Sequence, residues 1–252
     1  YVALQDTMQL WLPKFLSSTN NATYGFCTGC PYINIHVLGD FEGYGGIPQF
    51  NNPNNSPGHT TNVQMLFSIY GVIGDSTWIN ANFPPTVALH PFTPPTGGGP
   101  YHWGTIYAGN TGIPVLPDVS GPHQFICKLD ALGVNAVFTS AAFSDPYTTH
   151  ANSVNTGCEA LFPFVTGINP NIGNTMQEDL WDWYNLTALE TVAPFLGATA
   201  AMADTAYAHS IYTNPNMSKT QALAYIDTIE NYLAPRMYAA FGLAPGIDCV
   251  VG

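Results

Sequence analysis

Apolar positions along this chain recur with helical spacing in a few stretches, separated by long polar runs rich in glycine and proline. Over Val2 to Ser17, the residues Leu4, Met8, Trp11, Leu12 and Phe15 share one side of a helix, and Pro13 predicts a kink or an early end. Tyr32-Ile33-Asn34-Ile35-His36-Val37-Leu38 alternates as a half-buried strand does. Val63 to Ile73 predicts a buried helix with Met65, Leu66, Ile69 and Val72 on one side. Phe125 to Phe138 predicts another, weakened by Gly133 and Val134.

The pattern is clearest from Thr175 to Phe241. Thr175-Met176-Gln177-Glu178 reads as a capping box, followed by Leu180, Trp183, Leu186 and Leu189 at the helix period. Pro194 and Gly197 should kink or split that helix. Ser218-Lys219-Thr220-Gln221 is a second capping box, and Ala222, Ile226, Ile229 and Leu233 line one face behind it up to Pro235, which marks its end or a kink. These stretches predict an antiparallel helical pair as the main core. The expected fold is mainly α with long irregular Gly/Pro-rich loops, an α+β fold with a small sheet being the alternative. A single domain over 1–252 is expected, loop-rich over about 19–174 and helical over about 175–241.

Composition sets the compartment. Of 252 residues only 8% are charged, against about 25% in an average soluble domain. Four Lys+Arg stand against 16 Asp+Glu, a net charge of −12. Nucleic acid and anionic lipid are poor partners, because Lys14, Lys128, Lys219 and Arg236 are scattered rather than clustered. With 46% hydrophobic residues the chain has ample material for a core. No stretch reaches the roughly 18 apolar residues needed to span a bilayer. A start on Tyr1 fits a mature secreted form whose signal peptide has been removed. Four N-x-[S/T] sequons, at Asn21, Asn54, Asn185 and Asn216, are candidate glycosylation sites. The five cysteines, Cys27, Cys30, Cys127, Cys158 and Cys249, read as two disulfides and one leftover whose pairing the sequence leaves open.

Motifs narrow the chemistry mostly by absence. HExxH, GxSxG, GxGxxG, GxxxxGK[ST] and CxxCH do not occur. Loop histidines beside aromatics remain, and neutral imidazole is the commonest protein metal ligand. Three of His59, His90, His102 and His123 are the candidate ligands for copper, zinc or iron. Asp40 and Glu42, two apart on an extended segment among aromatics, are the candidate acids of a carbohydrate-acting enzyme. The leading expectation is a secreted glycoprotein with a loop-built, His-liganded metal site. Self-association into a filament, sheath or surface layer is the structural alternative, suggested by low charge, the odd cysteine and apolar loops. A glycan or small molecule is the candidate ligand.

Overall fold

A computed structural model describes residues 16, 27–30, 63–92, 99–107, 114–165, 169–171, 185–215 and 217–243. The helix expected over Val2 to Ser17, the strand over Tyr32 to Leu38 and the capping box at Thr175 lie outside these residues, apart from Leu16.

The fold is organised by a run with no helical period. Thr86–Pro91 (β2) is buried along its whole length. Such a continuous apolar and β-branched strand belongs in the middle of a parallel sheet covered on both faces. Leu66–Ile69 (β1) and Leu161–Phe164 (β5) flank it, both parallel, with Leu66 opposite Thr86 and Ala88 opposite Leu161. Trp103–Tyr107 (β3) and Pro114–Ser120 (β4) form a separate antiparallel pair.

Alternation along β2 divides the core. Val87 and Leu89 face one cluster with Phe162, Phe164, Phe138, Ala151, Ile229 and Tyr232. Ala88 and Leu161 face the other, with Ile79, Tyr101, Phe125, Ile126, Leu129 and Cys158. The helix Pro122–Ala131 (α1) covers this second face. Ala136–Ala141 (α2), Pro146–Val154 (α3) and Lys219–Ala240 (α6) supply Phe138, Ala151, Ile229 and Tyr232 to the first. Leu186–Val192 (α4) and Ala200–Thr213 (α5) pack beside each other.

These observations correct the mainly α expectation. The described residues are 48% helical and 17% strand, a mixed α/β fold with two small sheets. The main core is the parallel sheet with its covering helices, and α6 is the C-terminal helix that reaches it. Val63 to Ile73 is not a helix, because a short apolar run fits either period and here pairs with β2. Phe125 to Phe138 is two helices, broken where Gly133 takes φ +73°. Other local signals hold. Ser218 Oγ accepts from the Gln221 N–H at 3.1 Å to cap α6. The helix is split where expected: α4 ends at Val192, Pro194 lies in the short 3-10 turn Ala193–Leu196 that follows, and Gly197 closes that turn at φ +73°. Of the end or kink expected at Pro235, the end does not occur: α6 continues through it to Ala240.

At that point α6 carries a cation inward. Arg236 is 0% exposed, donating to Glu159 Oε1 at 2.8 Å and to the Tyr232 carbonyl at 2.9 Å, while its guanidinium lies 3.5 Å above the Tyr232 ring. A buried charge is tolerated only when paired and hydrogen-bonded in this way.

Candidate functional site

The parallel strands end together beside the start of α1, and side chains from three segments meet there. Gly121 makes the meeting possible. A Cβ at Gly121 would lie 2.2 Å from the carbonyl oxygens of Pro100 and His102 and 2.4 Å from that of Tyr101. The Gly121 N–H donates to His102 O at 2.8 Å, and the His123 N–H donates to Tyr101 O at 3.1 Å. Residues 100–102 are thereby laid across the first turn of α1. The His102 and His123 rings come to 4.6 Å, centroid to centroid.

His90 joins them from the carboxyl end of β2, the end of an open parallel sheet where ligands commonly bind. Its ring is fully buried, 5.4 Å from Tyr70 and 6.1 Å from Tyr101. Tyr101 is the hub, 4.8 Å from His102, 5.8 Å from His123 and 5.0 Å from Phe92. Three of the four candidate histidines are thus gathered around one tyrosine, and the fourth, His59, lies outside the described residues.

Hydrogen bonding fixes where the lone pairs are. His90 Nδ1 is 2.8 Å from the Pro91 carbonyl, which can only accept, so Nδ1 carries the proton. Nε2 therefore holds the lone pair; it is buried and makes no hydrogen bond of ordinary geometry, although the Gly99 carbonyl also approaches the ring. His123 Nε2 is 2.7 Å from Thr156 Oγ, whose own proton goes to the Asn155 carbonyl at 2.7 Å. His123 Nε2 must then be the donor, leaving the lone pair on Nδ1, also buried without a partner. His102 Nδ1 accepts from the Gln124 amide at 3.2 Å. Burial depresses the pKa of His90 below the usual histidine range, with the Pro91 and Gly99 carbonyls pulling the other way. Burial lowers His123 as well, helped by the neighbouring His102. Both imidazoles are thereby held neutral, as metal ligation requires. A backbone carbonyl on the far nitrogen, as at His90, is how ligating histidines are usually oriented.

Tyr101 Oη and Gln124 Oε1 are also buried without partners, and burial pushes the Tyr101 phenol up. Unmet buried polar atoms typically cost about 1–3 kcal/mol each, so a cluster of them calls for a cause.

Beside His123 lie two cysteines. Cys127, one turn further along α1, is disulfide-bonded to Cys158, in the turn before β5, with Cα atoms 5.0 Å apart. His123 Nε2 is 3.9 Å from Cys127 Sγ. Among the described residues His123, Cys127 and Cys158 are the group whose three ligand atoms lie within 4.8 Å of one another and could hold a metal ion. The three histidines do not form such a set as they stand. Cys27 and Cys30 form the second disulfide across a turn with Gly29 at φ +78°.

Other candidates separate. Asp40, Glu42, Cys249, Asn21, Asn54 and Asn216 lie outside the described residues. Asn185 is exposed at the N-cap of α4, its Oδ1 accepting from the Ala188 N–H at 3.2 Å. Sequence reasoning missed Tyr101, Gln124 and Thr156 as members of the cluster. It also missed the part played by Gly121, although Gly-Pro opening a helix signals the sharp entry that Gly121 makes. No helix of the described residues is long and apolar enough to cross a membrane. No protein-family model, curated protein or solved structure matches the chain.

Proposed function

We propose that this is a secreted, disulfide-bonded glycoprotein that binds a transition-metal ion through the His90–His102–His123 cluster. The observation that carries the reading is His90: a buried, neutral imidazole oriented by a carbonyl on Nδ1, with its Nε2 lone pair unpartnered. His123 offers a second such lone pair on Nδ1. The exposed His102 completes the set by rotating its side chain, since the three nitrogens do not converge on one point without that rotation. Imidazole donors suit copper, zinc and iron. Secretion is supported by charge depletion and the two disulfides, and glycosylation by the exposed sequon at Asn185.

The test is elemental analysis of protein purified without chelator, followed by calorimetric titration with Zn²⁺ and Cu²⁺. One ion per chain is expected, with affinity falling at least about tenfold, or 1.4 kcal/mol, in His90→Ala and in His123→Ala. A wild-type protein that neither retains nor takes up metal at micromolar concentration sinks the reading, as does unchanged affinity in both variants.

A second reading, self-association, is favoured by one feature. Phe195 and Leu196 are 85% and 79% exposed at the break between α4 and α5, with Val192 and Met202 also exposed. Sedimentation of Phe195→Ser/Leu196→Ser beside the wild type decides it: a concentration-dependent oligomer lost in the variant supports assembly, and two monomers refute it. The carbohydrate-acting reading rests on Asp40 and Glu42, and no described residue adds to it.

A further inference from the structure

We propose that the Cys127–Cys158 disulfide gates a second metal site, in which the two freed thiolates and His123 Nε2 hold a zinc-class divalent ion. The inference extends the metal-binding reading to another donor set and shares His123 with it.

The geometry is close to what zinc needs. Tetrahedral bonds of about 2.3 Å to sulfur and about 2.0–2.1 Å to nitrogen put N and S about 3.6 Å apart and two S about 3.8 Å apart. His123 Nε2 and Cys127 Sγ already stand 3.9 Å apart, as residues four apart on α1. Cys158 Sγ lies within 4.8 Å of the His123 ligand nitrogen, so rotation about the two cysteine Cα–Cβ bonds has to part the sulfurs and bring all three donors to tetrahedral spacing.

The turn carrying Cys158 is held independently of the disulfide. Asn155 is fully buried, its Nδ2 donating to the Leu161 carbonyl at 3.1 Å and its Oδ1 accepting from the Gly157 N–H at 3.0 Å. Thr156 and Gly157 both take left-handed φ, +58° and +89°, which aligns Cys158 with α1. Two thiolates and an imidazole are the three protein ligands of one known kind of open zinc site, with the fourth position left to water or a ligand.

The opening step is thiol–disulfide exchange with a dithiol. One thiolate of the dithiol attacks Cys127 Sγ, the more accessible sulfur, and Cys158 leaves as thiolate. The second thiol of the dithiol then displaces Cys127 and closes a cyclic disulfide. Two electrons and two protons pass to the protein, and the incoming divalent ion displaces the two thiol protons. His123 gives its Nε2 lone pair to the metal by moving its proton to Nδ1, and the Thr156 hydroxyl releases it.

Cobalt(II) is the probe, because thiolate ligation gives a charge-transfer absorption that histidine alone cannot give. The protein carries Cys27→Ser, Cys30→Ser and Cys249→Ser, so that only one cysteine pair remains, and is compared oxidised and after reduction by a phosphine removed before titration. The reduced protein should show the thiolate–cobalt band with one ion per chain, and the oxidised protein should not. His123→Ala in the reduced protein should weaken cobalt binding at least tenfold. A folded reduced protein without the band overturns the proposal, and so does His123→Ala binding as tightly as its parent. If reduction abolishes the near-UV circular dichroism and cobalt does not restore it, the proposal is overturned too. Zinc uptake by the oxidised protein reads the histidine cluster instead, so the two sites succeed or fail separately.

Discussion

Asp130 carries a charge that the fold does not accommodate, and replacing it with Asn should stabilise the protein at neutral pH. It sits in the last turn of α1, and both carboxylate oxygens are buried without a hydrogen-bond partner. Burial pushes its pKa from 3.8 up to about 6, with the Glu159 charge adding to the rise, while the Asn135 side chain and the Glu159 backbone work against it. A carboxyl whose folded-state pKa is raised holds its proton more tightly in the native state than in the unfolded one. Its stabilising effect is therefore complete below the unfolded pKa of 3.8 and is lost as pH rises through about 6. A rise of about two units corresponds to about 3 kcal/mol, an upper bound because the group is only part-buried.

Asn keeps the shape and carries no charge. Urea unfolding followed by tryptophan fluorescence gives the stability of both proteins across a pH series. Other groups titrate in the same window, so the quantity of interest is the difference between the two proteins. At about pH 8 the variant should be more stable by about 2–3 kcal/mol, and that gap should close as pH falls to about 4. A gap that does not change with pH, or a variant less stable at the high end, refutes the reasoning.

Two glycine replacements separate crowding from backbone strain. Gly121 has an ordinary φ of −70°, so Gly121→Ala should cost about 2–3 kcal/mol through its contact with three carbonyls, and should weaken zinc binding by parting His102 from His123. Gly133 has open space but φ +73°, so Gly133→Ala should cost about 1–2 kcal/mol from backbone strain and leave zinc affinity unchanged in the same calorimetry. Glu159→Ala strands Arg236 in the core and should lower unfolding stability by about 3 kcal/mol. In a glycosylating host, Thr187→Ala should remove one glycan, seen as a mobility step, with the α4 cap intact; Asn185→Ala should remove the glycan and about 1 kcal/mol of cap stability as well.

What was legible in the sequence was local. Ser218 as a cap, the break at Pro194 and Gly197, and the weakness at Gly133 each depend on backbone chemistry within a few residues. The sheet was not legible. Thr86–Pro91 offers no alternation, because a strand buried on both faces has none to show, and its partners lie 20 residues before it and 73 after, with Leu66 opposite Thr86 and Leu161 opposite Ala88. The site was half legible for the same reason. His90, His102 and His123 stood out as loop histidines beside aromatics, but their convergence depends on two long-range facts, the end of β2 and the crossing at Gly121. The neutral lone pairs depend on Pro91, Thr156 and Asn155, which no ligand motif would have picked out.

The two disulfides differ in what they can control. Cys27 and Cys30 are three residues apart, so reducing them frees almost no chain. Cys127 and Cys158 are separated by 31 residues, and closing a loop of that length stabilises the folded state by about 4 kcal/mol in the chain-entropy account. That loop contains α2, α3 and the whole turn that holds Cys158. It also contains Asn135, whose Oδ1 accepts from the Thr86 N–H inside the core at 2.9 Å. A loss of about 4 kcal/mol is large against a total stability of about 5–15 kcal/mol, yet it need not unfold the domain. A metal at 100 times its dissociation constant returns about 2.7 kcal/mol. Reduction and metal binding are therefore matched in size at this pair of cysteines, which is the condition for one to control the other. At Cys27–Cys30 the residues joined are only three apart, so nothing comparable is at stake.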